Sequence, residues 1–177
     1  VTAADREAEA MVRQMITEQY PAHNVIGEEH GSVSSDGPWS WVIDPIDGTQ
    51  RFIHGQPTFG CLIALLYEHR PVLGIIDMPA LNERWLGVTG KPSLHNGGHC
   101  QSNDRKLLTE ATVFATSIDM FTDTERQQFD RLSTAARFRN FGADCYAYGL
   151  LASGHADIVM ESDMSSYDFL ALVPVIE

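Results

Sequence analysis

Residues 39–49 have the sequence WSWVIDPIDGT, in which an apolar run leads into two aspartates that flank Pro45. The β-branched pair before Asp44 favours a buried strand, and a proline cannot extend a central strand, so we predict that the strand ends at Asp44. The glycine and threonine that follow suit a tight turn and the start of a helix. Asp44, Asp47 and the carbonyl between them therefore predict an oxygen-rich pocket for a hard divalent cation, with a phosphate held beside it at Thr49.

The composition of the chain narrows its class. Its 177 residues are 44% hydrophobic and 20% charged, as in ordinary globular domains. The net charge of −12 argues against nucleic acid or an anionic membrane as a partner, because both attract a basic surface. Three scattered cysteines without a CxxC pair predict neither a zinc site nor a disulfide framework, and they fit a reducing cytoplasm. The longest apolar run, residues 59–67, is too short to cross a bilayer.

Upstream of the opening stretch, the pattern predicts one helix and one short strand. Thr2 or Asp5 can cap a helix that runs to about Tyr20. Apolar residues at spacings of three and four are expected to form its buried face: Ala8, Met11, Val12, Met15 and Ile16. Residues 24–27 predict a short strand, and the Gly- and Ser-rich residues 30–38 predict a surface loop.

Downstream, the sequence predicts two different arrangements. The first is a short helix at residues 51–55 followed by an antiparallel meander of strands at residues 59–67, 72–78 and 83–88, with a hairpin signal at Asn96-Gly97-Gly98. Beyond a polar boundary near residues 102–110, strands and helices alternate, which is typical of an α/β lobe. The predicted elements there are strands at 112–117, 138–141 and 157–160 and helices at 123–136, 144–153 and from 167 onward.

These patterns divide the chain into two predicted lobes. Residues 1–105 form a metal-binding α+β lobe that contains the meander, and residues 106–177 form a second α/β lobe that is truncated at its C-terminal end. Other acids lie at the ends of predicted helices and strands, but their spacing in the sequence supports only Asp44 and Asp47 as partners in one site.

Four motifs together resemble the inositol monophosphatase-like phosphatases. DPIDGT at residues 44–49 is highly specific, and it is preceded by VTAAD at 1–5 and GEE at 27–29 and followed by YD at 167–168, in the order of that family. The resemblance covers essentially the whole chain. Because the family begins earlier and continues past Glu177, we expect the chain to be a fragment that lacks both ends.

The resemblance implies a fold, a reaction and a set of site residues. The fold is a layered α/β/α/β/α sandwich, and the reaction is Mg²⁺-dependent hydrolysis of a small phosphate monoester by an activated water, without a phosphoenzyme. The residues that match the family's metal ligands are Glu28, Asp44, Ile46 through its carbonyl, Asp47 and Asp168. The residues that match its catalytic groups are Glu28, Thr49 and Asp5, of which the last two orient the attacking water. With the reducing cytoplasm that the cysteines fit, we also expect a cytoplasmic enzyme, and a homodimer in the full-length form.

Two further stretches are similar to the histidinol-phosphatase branch of this family. They are NFGADCYAYG at residues 140–149 and YDFLALVPVIE at residues 167–177. Histidinol phosphate carries an ammonium and a protonatable imidazole, so a carboxylate such as Asp144 or Glu161 should favour its binding. The expected substrate-binding residues are Asp47, Gly48, Thr49, Gly142, Asp144, Glu161 and Asp168. A helix cap is the alternative role for Asp144.

Two other functions stay open at this point. The first is an inositol-phosphate or 3′-nucleotide phosphatase of the same family. The second, from a different class, is a metal-binding module without turnover, which the intact set of acids argues against.

Overall fold

Two β-sheets organise the chain, and a computed structural model describes all of its residues, 1–177. The first sheet has eight strands in the order β2-β1-β3-β4-β5-β6-β7-β8, and the second has three in the order β10-β9-β11. The strands are β1 Asn24–Gly27, β2 Gly31–Val33, β3 Trp39–Asp47, β4 Gly60–Tyr67, β5 Arg70–Met78, β6 Glu83–Val88, β7 Leu94–His95, β8 Gly98–His99, β9 Thr112–Ala115, β10 Phe138–Phe141 and β11 Ile158–Val159. The α-helices are α1 Ala3–Gln19, α2 Thr49–Ile53, α3 Asp123–Ala135, α4 Cys145–Ala152, α5 Ser166–Phe169 and α6 Val173–Ile176.

The predicted meander is confirmed. Strands β3, β4, β5 and β6 are consecutive antiparallel neighbours, while β1 pairs with β3 in parallel. The hairpin between β7 and β8 turns at Asn96 and Gly97, whose φ angles of 48° and 80° are those of the tight turn that matches strand twist. The sheet therefore presents the C-terminal ends of β1 and β3 side by side, with acids directly after β1 and at the end of β3.

The predicted end of β3 at Asp44 is wrong. The strand continues to Asp47, and its register against β4 shifts between Asp44 and Asp47. Such a bulge relieves Pro45 of the need to donate a ladder hydrogen bond, so the proline fits inside the strand. The irregularity also re-aims the side chains on either side of it, which matters for the site.

Two predictions for the N-terminal part are also wrong in detail. The surface loop at residues 30–38 contains β2, an edge strand that pairs with β1 through backbone contacts and needs no apolar pattern. The apolar face of α1 is only partly buried, since Met11 is 66% exposed and Met15 is 67% exposed. The fully buried side chains of this helix are instead two acids, Asp5 and Glu9, which face the ends of β1 and β3.

The second sheet is parallel, and the helix α3 covers it. Phe121 and Phe129 pack against Val113 and Ala115 of β9 in a small core. Helices α4 to α6 do not join that core. They pack on the first sheet, where Cys145 and Val175 contact the largest buried cluster.

The final segment forms two short helices, α5 and α6, rather than the single predicted helix from residue 167. The backbone between them lies directly on the first sheet, since a Cβ at Gly74 would stand 1.9 Å from the Ala171 carbonyl oxygen. The whole is a mixed α/β sandwich. None of its helices combines the length and the apolar character that a membrane span requires. The division into lobes at residues 105 and 106 stays a prediction.

Candidate active site

Three carboxylates converge beside the bulge of β3. One oxygen from each of Asp44, Asp47 and Asp168 lies within 4.8 Å of the others. Asp44 precedes the bulge, Asp47 ends the strand and Asp168 lies in α5, so residues more than 120 positions apart meet at one point. The structure thus brings together the two acids that spacing alone supported and one that only the resemblance implied.

Hydrogen bonds from the backbone hold these carboxylates in place. The Ile46 amide donates to Asp44 over 3.1 Å, and the Cys145 amide at the start of α4 donates to Asp47 over 2.6 Å. The Ser165 amide donates to Asp168 over 2.6 Å in a capping box that opens α5. Asp168 therefore caps its helix and also belongs to the acidic cluster.

The electrostatics of the cluster favour a bound cation. Burial, together with the negative charges of Asp47 and Glu28, raises the pKa of Asp44 to about 10. Burial also raises the pKa of Asp47 to about 6, although the hydrogen bond from Cys145 opposes the shift. Because the donors are all oxygens and their charges repel one another, the cluster fits a hard divalent cation, which would relieve that repulsion.

Asp5 and Thr49 meet at the edge of the cluster, as the resemblance implied. The Thr49 hydroxyl lies 3.3 Å from Asp5 Oδ1 and 3.1 Å from the Ile46 carbonyl oxygen, and it can donate to either. Burial would raise the pKa of Asp5, but hydrogen bonds from Thr2 outweigh it and lower that pKa. Asp5 is therefore an ionised acceptor that can orient the threonine hydroxyl.

Glu28 lies at the end of β1, next to the cluster but outside the group of three. Its amide donates to the Ile43 carbonyl over 3.2 Å, which ties the turn to β3. Burial and the charge of Glu29 raise the pKa of Glu28, and its own charge contributes to the raised pKa of Asp44. Glu28 is exposed, and its carboxyl interacts with that of Asp44.

A cavity of about 180 Å³ opens beside the cluster. Four of the predicted substrate-binding residues line it, namely Asp47, Asp144, Glu161 and Asp168. The other three, Gly48, Thr49 and Gly142, do not line it. Gly48 precedes α2 with φ of 81°, and a Cβ at Gly142, whose φ is 80°, would lie 2.9 Å from the Arg51 guanidinium.

Asp144 makes an ion pair that the sequence did not predict. Its carboxylate accepts a hydrogen bond from Arg51 Nε over 2.8 Å, and both side chains are mostly buried. Asp144 precedes α4, but its side chain makes no capping hydrogen bond, so the alternative role of a helix cap is wrong. Arg51 thus offsets the charge of one carboxylate in the cavity wall.

Glu161 is held by a single neighbour across the cavity. The amide and the hydroxyl of Thr116 donate to Glu161 Oε1 over 2.8 Å and 2.9 Å. Burial raises the pKa of Glu161 to about 7, against the opposing effect of these two hydrogen bonds. Near neutral pH, Glu161 therefore carries only part of a negative charge until a cation approaches it.

Comparison with known proteins assigns the family. A model of the inositol monophosphatase family matches residues 1–177 of the chain. The chain belongs to the inositol monophosphatase family. This assignment confirms the resemblance seen in the DPIDGT motif, and it agrees with the metal-dependent chemistry that the acidic cluster supports.

Three relatives illustrate the range of activities in the family. The chain is 44% identical over 179 residues to the protein named bifunctional phosphatase IMPL2, chloroplastic, from Arabidopsis thaliana, covering 100% of the chain and 52% of that protein. It is 36% identical over 178 residues to a histidinol-phosphatase from Chlorobaculum parvum, covering 100% of the chain and 69% of the relative. A solved inositol monophosphatase from Zymomonas mobilis superposes with a TM-score of 0.89 at 41% identity, covering 97% of the chain and 66% of that structure. The chain thus spans about half to two thirds of the length of these family members.

The structure also identifies residues around the family site that the sequence patterns did not suggest. Arg51, Thr116 and the Cys145 amide each bond one of the cavity's carboxylates. Glu9 on α1 bonds the turn that carries Glu28. Only Glu9 left a signal in the sequence, because it lies four residues after Asp5 and must share its helix face.

Glu161 gives a prediction for stability that does not require the metal. Its folded pKa of about 7 lies above the ordinary value of 4.5, so the folded protein holds the proton more tightly than the unfolded chain. The free energy of unfolding should therefore fall as the pH rises from 4.5 through 7. With a chelator present, the free energy of unfolding of Glu161→Gln relative to that of the parent should rise by on the order of 1–3 kcal/mol between pH 4.5 and pH 8. Urea denaturation at both pH values measures it.

Glu125→Gln is the matched control for this experiment. Hydrogen bonds from Thr122 lower the pKa of Glu125, so its contribution to stability is present above its ordinary pKa and is lost at lower pH. The two variants should therefore show pH dependences of opposite sign. A Glu161→Gln effect that is the same at pH 4.5 and pH 8 would contradict the assignment of the raised pKa.

Proposed function

We propose that the full-length protein hydrolyses small phosphate monoesters with the help of Mg²⁺. The observation that carries the proposal is the convergence of Asp44, Asp47 and Asp168 within 4.8 Å, beside an open cavity. Repelling carboxylates with raised pKa values are costly to the fold, so their presence together supports a cation-dependent function.

The roles of the residues follow from their positions. Those proposed to hold the cation are Glu28, Asp44, Asp47, Asp168 and the carbonyl of Ile46. When bound, the cation lowers the pKa of a water molecule and offsets the charge of the phosphate. Asp5 and Thr49 orient the attacking water through the hydroxyl that they share, with Glu28 on the same side, and the amides of Gly48 and Thr49 are proposed to contact phosphate oxygens.

We propose histidinol phosphate as the substrate. The cavity wall is acidic, with Asp144, Glu161 and Asp163 in addition to two members of the cluster, and it therefore suits a leaving group that carries positive charge. Arg51 offsets Asp144, so Glu161 is the carboxylate that is free of an arginine partner and whose ionisation a substrate cation would favour. The histidinol-phosphatase among the relatives supports the same choice.

Inositol phosphate is the second candidate. The solved Zymomonas mobilis relative is named an inositol monophosphatase and is 41% identical to the chain, which favours a neutral polyol. No feature of this cavity specifically supports a 3′-nucleotide phosphatase. The cytoplasmic location and the homodimer of the full-length protein stay predictions.

A comparison of kcat/KM for the two substrates tests the proposal. The full-length protein should prefer histidinol phosphate to inositol 1-phosphate. Asp144→Ala should narrow that preference about tenfold, because it removes a carboxylate from the cavity wall and leaves the Arg51 guanidinium behind that wall without its carboxylate partner, where its charge disfavours a cationic substrate.

Asp77→Ala is the matched control, since it also breaks an ion pair with an arginine, Arg84, but lies outside this cavity. It should leave the preference unchanged. A parent protein that prefers inositol 1-phosphate would contradict the choice of substrate. A full-length protein that releases phosphate from neither compound would leave the 3′-nucleotide phosphatase and the metal-binding module as the alternatives.

A further inference from the structure

A buried carboxylate on α1 holds the turn that carries Glu28. Glu9 is fully buried, and its two oxygens accept hydrogen bonds from the amides of Glu29 over 2.7 Å and His30 over 3.2 Å. A buried charge requires partners of this kind, because an unpaired one would be very costly. Both amides belong to the residues directly after Glu28, so the position of Glu28 depends on them.

Arg13, one turn further along the helix, binds both Glu9 and the end of the same turn. Its Nε donates to Glu9 over 2.5 Å, and its guanidinium also donates to the Gly31 carbonyl. Glu9 thus binds two donors of the turn, while Arg13 neutralises Glu9 and binds an acceptor at the end of the turn. The Glu9–Arg13 pair therefore binds both amide donors and a carbonyl acceptor in the backbone between Glu28 and β2.

Gly27 shows how closely the Glu9 carboxylate packs against the turn. A Cβ at this position would lie 2.1 Å from Glu9 Oε1, so the carboxylate occupies the space that any other residue would need. The glycine of the GEE motif is therefore explained by Glu9, not by its φ angle, which is not positive.

Asp5 and Glu9 lie on successive turns of α1 and bind two different elements beside the acidic cluster. They lie four residues apart on the same face, and both are fully buried. Asp5 bonds Thr49 at the start of α2, whereas Glu9 bonds the turn after β1. The helix thereby connects the two elements that flank the cluster.

We propose that Glu9, supported by Arg13, is a positioning residue that holds Glu28 in place for the cation. This inference rests on the proposed function, because it requires that Glu28 takes part in binding Mg²⁺. Glu9 itself has no contact with Asp44, Asp47 or Asp168 among its hydrogen bonds. Its effect is exerted through the backbone of the turn.

Titration calorimetry of the full-length protein with Mg²⁺ alone tests the inference. Glu9→Gln should raise the Kd for Mg²⁺ roughly tenfold, because groups that orient metal ligands typically contribute 10- to 100-fold to affinity. At saturating Mg²⁺ the kcat should stay within about threefold of the parent, since the cation then restores the position of Glu28. Amide exchange of residues 27–31 should be faster in the metal-free variant than in the parent.

Asp157→Asn is the matched control. Asp157 also accepts from a backbone amide, that of Thr112 at 2.7 Å, and from an arginine, Arg105 at 2.9 Å, but it directly precedes β11 of the second sheet. This variant should destabilise the fold while changing the Kd for Mg²⁺ by less than about twofold. If Glu9→Gln does not fold, Arg13→Met keeps the bonds to both amides and should weaken Mg²⁺ binding by about threefold.

The outcomes separate the inference from the proposed function. A parent that binds Mg²⁺ and a folded Glu9→Gln or Arg13→Met that binds it equally well would overturn the inference alone. An equal loss of affinity in Asp157→Asn would overturn it too, since the effect would then reflect general loss of stability. A parent that binds no Mg²⁺ would overturn the proposed function and the inference with it.

Discussion

Asp47→Asn in the full-length protein is expected to lower kcat for phosphate ester hydrolysis by roughly 10³-fold or more, several kcal/mol of transition-state stabilisation. Asp47 is at the centre of the proposed site, because its carboxylate belongs to the acidic cluster and lines the cavity beside it. It also accepts the first amide of α4 over 2.6 Å, which fixes its orientation. The neutral amide keeps the shape of the side chain and removes the charge that the cation needs.

Asp163→Asn is the control for this variant. Asp163 lines the same cavity but is not one of the three clustered acids, and asparagine tolerates its φ of 57°. It should lower kcat by less than about threefold, because it removes a charge that is not proposed to bind the cation. An Asp47→Asn enzyme that retains the turnover of the parent would contradict the role of the cluster. Circular dichroism of both variants shows whether the fold is kept.

The sequence predicted the first sheet well because its strands carry local signals. The bounds of β1 and β6 and the hairpin turn at Asn96 follow from apolar alternation and from turn residues. The end of β3 could not be predicted in this way. Proline normally ends a central strand, and only the register against β4 shows that a bulge accommodates Pro45.

The acidic cluster was predictable only in part, for a physical reason. Asp44 and Asp47 are close in the chain, whereas Asp168 reaches them through packing of α5 on the first sheet. The family motif supplied that long-range information. Spacing could not, because the distance between residues far apart in sequence depends on the whole fold.

The buried charges of α1 were harder to predict than those of the acidic cluster. Glu9 and Arg13 are four apart on a helix, a pattern that normally indicates a solvent-exposed ion pair. The methionines on α1 had the spacing of a buried face and are exposed instead. The helix lies against the turn after β1, where polar backbone groups need charged partners, and this tertiary contact outweighs the local pattern.

Removal of the divalent cation is the second change expected to have a large effect on phosphate release. Removal of divalent cations with a chelator should lower phosphate release by the full-length protein at least roughly 10³-fold, because the cation supplies both the charge that phosphate needs and the acidity of the attacking water. Addition of Mg²⁺ should restore the rate, with a dependence on its concentration that follows its binding to the cluster. Ca²⁺ is a useful comparison because it prefers longer bonds and more ligands than Mg²⁺.

Phosphate release from histidinol phosphate, measured in the full-length protein with and without Mg²⁺, tests the central claim most directly. We expect release that depends on Mg²⁺, is lost on chelation and returns when the ion is restored. Release at an unchanged rate in excess chelator, or no release at any concentration of Mg²⁺, would contradict the claim that Asp44, Asp47 and Asp168 form a cation-dependent active site for this ester.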